Sequence, residues 1–109
     1  MKYDLTQYSE IARKAMAYNR KQDENYTWTL KAINKNSIKF RWSYLEGKDE
    51  EFVLTVRESD GEPYILVEIP YCSNICILVG DEFYCDVKTL EAGIYKAIKA
   101  TAHKAMHLF

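Results

Sequence analysis

Between Tyr26 and Val56, apolar and polar residues alternate with a period of two. Tyr26, Trp28, Leu30 and Ala32 are separated by Thr27, Thr29 and Lys31. Ile38, Phe40, Trp42 and Tyr44 are separated by Lys39, Arg41 and Ser43, and Phe52, Leu54 and Val56 by Val53 and Thr55. Because a strand turns successive side chains to opposite faces, this pattern requires a sheet with one buried face. The rest of the chain has to cover that face.

The linkers set the topology. Asn34-Lys35-Asn36 joins the first two strands, Glu46-Gly47-Lys48-Asp49-Glu50 the next pair, and Ser59-Asp60-Gly61-Glu62-Pro63 the pair after that. A parallel crossover needs a dozen or more residues, so connections this short predict antiparallel neighbours. A fourth strand runs from about Tyr64 to Ile69 and stops at Pro70, which cannot donate to a ladder. A fifth is predicted over Ile75 to Val79. A turn at Gly80-Asp81 leads to a short sixth at about Glu82 to Cys85, a register that makes Cys76 and Cys85 cross-strand neighbours.

Helical spacing replaces alternation at both ends. Leu5, Tyr8, Ile11, Ala12, Ala15 and Met16 form a stripe on a helix from about Asp4 to Lys21, with Asp4 and Gln7 placed as a capping box. Leu90, Ile94, Ala97, Ile98, Thr101, Ala105 and Met106 form another on a helix from about Thr89 to Leu108, capped by Thr89 or Asp86. Gly93 inside that stripe marks close packing on the other helix or on the sheet. With 109 residues there is room for one domain and one core. The predicted fold is α+β: an antiparallel meander of five to six strands, flanked by an N-terminal and a C-terminal helix packed on one face. The doubt about that shared face enters at strand five, where Ile75, Ile77 and Val79 oppose Cys76 and Leu78 and both sides are apolar.

The formal net charge is −1, which gives no strong general attraction to polyanions. Both ends are basic. Arg13, Lys14, Arg20 and Lys21 face only Asp4 and Glu10 in the first helix region, and Lys88, Lys96, Lys99 and Lys104 face only Glu91 in the last. No stretch is apolar for long enough to span a bilayer, and the first residues lack the apolar run of a signal peptide. The expectation is a cytoplasmic protein with no membrane partner.

Cys72 and Cys76, with His103 and His107, supply zinc-ligand chemistry. The gap of twenty-six residues and a long final helix separate the pairs, so no metal is expected. No nucleophile motif, phosphate loop or paired-carboxylate pattern appears, so neither a cofactor nor catalysis is expected.

Two surfaces remain. The outer face of strands four to six leaves apolar side chains uncovered, giving a protein interface at Tyr64, Leu66, Tyr71, Ile75, Ile77, Val79 and Tyr84. In the alternative register Leu78 and Phe83 point outward instead. Lys39, Arg41 and Arg57 on the sheet, or Lys96, Lys99 and Lys104 on the last helix, form the weaker alternative, a nucleic-acid contact. The sheet patch lacks the exposed aromatics that base stacking requires. In size and composition the chain is similar to the small accessory or inhibitor proteins of phages and mobile elements, which occupy a host protein's surface. The favoured expectation is a non-catalytic protein-binding module, with self-association into a homo-oligomer a further possibility.

Overall fold

The computed structural model describes residues 3–44, 47, 49–70, 73–80 and 87–108, with side chains to residue 104. A 3-10 turn, Leu5–Tyr8, leads into α1, Ser9–Gln22. Five strands follow: β1 Tyr26–Ile33, β2 Ile38–Tyr44, β3 Asp49–Ser59, β4 Glu62–Glu68 and β5 Ile75–Leu78. The chain closes with α2, Leu90–Leu108. The strands form one antiparallel sheet in the order β1-β2-β3-β4-β5.

Alternation selects the buried face. Trp28, Phe40, Trp42, Phe52, Leu54, Val56, Ile65 and Val67 all point inward and are buried. Three of their rings form one cluster, with Trp28 stacked on Phe52 at 5.9 Å between centroids and Phe40 at 5.4 Å from Phe52. Each fully buried large side chain stabilises the fold by about 1.5–3 kcal/mol relative to exposure. Both helices cover this face and contribute Ala12, Ala15, Met16, Ile94, Ala97, Ile98 and Ala102 to the same core, which Leu5 of the 3-10 turn joins.

Side-chain caps fix the starts of the 3-10 turn and of α2, while α1 continues from the turn without one. The Asp4 carboxylate accepts from the backbone N–H and the hydroxyl of Thr6, rather than reaching Gln7. Those bonds hold its carboxyl below the ordinary 3.8. Of the two candidate caps for α2, Thr89 is in place, its Oγ1 accepting from Ala92 N–H at 3.1 Å. Gly93 packs on the sheet, against Ile65 of β4.

Three details differ from the sequence expectation. A bulge between Leu30 and Ala32 shifts the register of β1, so Ala32 pairs with Lys39 and Ile33 with the buried Ile38. One inserted residue thereby exposes Ala32, which strict alternation places inside. The β3–β4 hairpin closes over two residues, Asp60 and Gly61, both at positive φ, 54° and 80°. Mirror-image turns of this kind match strand twist, so pairing continues to Ser59 and Glu62. The helix α1 begins one turn later than its stripe, after the 3-10 turn.

The expected sixth strand, with its Cys76–Cys85 pairing, lies outside the described residues. Next to it, Val87 runs parallel to Val79, with Gly80 N–H donating to Val87 O at 2.9 Å and Val87 N–H to Leu78 O at 3.2 Å. No helix among the described residues is long and apolar enough to cross a membrane.

Candidate protein-binding surface

Both helices lie on one side, and no helix or strand among the described residues covers the other face of the sheet. On β4 and β5 it presents cross-strand pairs in successive rows. Tyr64 lies opposite Leu78, and Leu66 opposite Cys76. Thr55 and Arg57 of β3 extend these rows as the partners of Leu66 and Tyr64. Leu78 is 45% exposed, Cys76 is exposed, and Tyr64 and Leu66 are half-buried. Side chains opposite one another in a ladder sit about 4.5–5.5 Å apart at Cβ, so these four make one continuous apolar strip.

The same pairing corrects part of the expected interface. Ile75, Ile77 and Val79 face the core, at 9%, 5% and 7% exposure. Strand five is apolar on both sides, so its own pattern cannot assign a face. Pairing of Ile77 with Ile65 and of Ile75 with Val67 does, because both β4 residues are fully buried. Tyr64 and Leu66 are on the outer face as expected, joined by Leu78, while Tyr71 and Tyr84 lie outside the described residues.

The basic patch on the sheet is largely compensated. Arg57 meets Glu68 at 3.3 Å and Arg41 meets Asp49 at 3.8 Å, with Glu51 the ladder partner of Arg41. Lys39 stands exposed between Ala32 and Val53. On α2, Lys104 Nζ reaches Ser73 Oγ at 3.4 Å. Cys76 is on the outer sheet face, and His103 is exposed on α2 in the helix layer behind the sheet. No group of three metal-ligating side chains occurs among the described residues.

A second constellation lies between the helices. The two run in the same direction and are tied by Asn19, a buried polar residue whose Nδ2 donates to Ile98 O at 3.1 Å. Beside this bond, Tyr18, the residue before Asn19, and Tyr95, one turn before Ile98, approach edge to face at 6.5 Å, and the Lys99 ammonium lies 4.2 Å from the Tyr18 ring centre and 4.9 Å from that of Tyr95. Tyr18 is 39% exposed. In the sequence Tyr18 lies off the apolar stripe of the first helix, Tyr95 borders that of the last, and Tyr95 and Lys99 are about one turn apart. Only the packing of α1 on α2 adds Tyr18 to the pair.

Comparison of the chain with protein-family models, curated proteins and solved structures finds no match. What the geometry defines is a class: a five-stranded antiparallel sheet with one helical layer and, among the described residues, one uncovered face.

Proposed function

We propose that this is a non-catalytic, cytoplasmic protein-binding module that engages a partner through the open face of β4 and β5. The carrying observation is the strip formed by Tyr64, Leu66, Cys76 and Leu78 on a sheet face that no element among the described residues covers. Apolar side chains at the centre, with Arg57, Glu68 and Lys39 around them, have the composition of an interface core and its polar rim. An inhibitor or accessory protein that occupies a host protein's surface works through such a strip. Nucleic-acid binding by the sheet is the weaker reading, because Arg41 and Arg57 already face carboxylates.

The test is affinity capture from lysate of the native host, with and without nuclease, using the wild-type chain and the variants Leu66→Arg and Leu78→Arg. The expected result is a stoichiometric protein partner that survives nuclease and is lost with either variant, while the variants keep the wild-type circular dichroism and melting curve. Equal capture by both variants would overturn the assignment of the face. Recovery that disappears with nuclease would move nucleic acid to first place.

A further inference from the structure

We propose that the groove between α1 and α2 binds a compact, phosphate-bearing ring compound of the mononucleotide class. This site is independent of the sheet face and lies on the opposite side of the molecule. The groove is lined by Tyr18 and Gln22 of α1 and by Tyr95, Lys96, Lys99 and His103 of α2, and encloses about 400 Å³, within the range of small-ligand sites. Among the described residues no carboxylate lines it, although acidic residues outnumber basic ones in the chain.

Lys99 is the centre of the site. Two tyrosine rings hold its ammonium group over the groove, so little side-chain entropy remains to be lost when an anion arrives. The ring contacts are electrostatic and leave the ammonium N–H groups able to donate to phosphate oxygens. Tyr18, exposed at the mouth, offers an aromatic surface on which a base can stack. Cation and aromatic surface thus stand side by side with no carboxylate among the described lining, whereas on the sheet Arg57, the ladder partner of Tyr64, is paired with Glu68.

The same groove explains why the ligand is compact. Past Tyr95, towards the helix starts, its lining changes to Ile11, Lys14, Glu91 and Ala92, and Glu10 joins Glu91 one turn further on. Lys14 is there engaged by Glu10 at 3.7 Å. A strand of nucleic acid running along the helices would carry its phosphates into these carboxylates. A single nucleotide ends before them.

The experiment is a titration of the full-length protein with adenosine and uridine 5′-monophosphates, followed by backbone amide NMR. Inorganic phosphate and a single-stranded oligonucleotide are run in parallel, and all titrations are repeated on Lys99→Met and Tyr18→Leu. The expected result is saturable binding of the mononucleotides, with shifts confined to residues 18–22 and 95–103. Lys99→Met should weaken it by about tenfold or more, as loss of one charge-assisted contact implies. Tyr18→Leu should weaken the nucleotides and leave phosphate unchanged. Absence of saturable binding, or unchanged affinity in Lys99→Met, would overturn the site. Phosphate binding as tightly as the nucleotides would overturn the ring, and tighter binding of the oligonucleotide with shifts reaching Glu91 would overturn the compact ligand. Both substituted residues lie on the surface of the helix layer, and wild-type shift mapping locates the site even if a variant unfolds.

Discussion

A methyl group on Gly93 would stand 2.5 Å from Cδ1 of Ile65, with Val87 Cγ2 at 3.1 Å and Val79 Cγ2 at 3.3 Å. The helix α2 therefore rests on β4 and β5 at a separation that only a bare Cα permits. Alanine at this position gains about 1 kcal/mol of helix propensity. It also forces the fully buried Ile65 to move in a close-packed core, which costs typically 1–3 kcal/mol. Gly93→Ala is expected to lower stability in urea unfolding, and combining it with Ile65→Val should recover part of the loss. A more stable Gly93→Ala protein would show that this contact yields freely.

The bond from Asn19 to Ile98 O crosses between the helices inside the core. Removing a buried donor of this kind costs about 1–3 kcal/mol, so Asn19→Ala should unfold at lower urea. The Asn19 Oδ1 has no partner in the described structure. Asn19→Asp, which places charge there, should be worse than alanine at neutral pH and recover as the carboxyl is protonated. Equal midpoints for the two variants at neutral pH would contradict this assignment.

Adjacent residues of β5 should respond in opposite ways. Ile77 is in the core and Leu78 outside it. An arginine at 77 buries a charge without a partner, an effect of about 4 kcal/mol or more, and Ile77→Arg should be unfolded or aggregated. Leu78→Arg should melt within a few degrees of wild type. Thermal melts of the two variants check the pairing of β5 with β4 directly.

The open edge of the sheet at β1 is guarded from α1. Arg20 Nε donates to Trp28 O at 2.9 Å, and Tyr26 N–H is taken by Asp23 O at 3.2 Å. Together with the bulge at Lys31, these contacts keep the edge from serving as a template for another strand. Arg20→Ala should lose about 1–2 kcal/mol and show concentration-dependent light scattering at protein levels where the wild type shows none. Unchanged scattering would mean that the bulge alone suffices.

Most of the fold was legible in the sequence because its buried face is built from strongly alternating strands. Trp28, Phe40, Trp42, Phe52 and Leu54 can take only one side of a sheet, and the linkers between them are too short for crossovers. Legibility stops where both sides of a strand are equally apolar. Ile75, Ile77 and Val79 are indistinguishable by pattern from an exposed apolar strip, and only Ile65 and Val67 across the ladder decide the matter. The bulge was hidden for a related reason, since Ala32 is small enough to suit either face. Tyr18, Tyr95 and Lys99 show the third kind of limit. Their spacing along each helix is visible, but the angle and register of α1 on α2 depend on the whole core.

The exposed thiol of Cys76, set between Leu66 and the outer solvent in the middle of the open strip, gives this surface its own chemical reporter. An alkylating reagent reads the state of the face through the adduct on Cys76, assigned by fragmentation because Cys72 and Cys85 share its tryptic peptide. A partner lying across β4 and β5 slows labelling there, whereas a ligand between the helices leaves it unchanged. The two surfaces can thus be scored separately in a single sample, on the unmodified sequence.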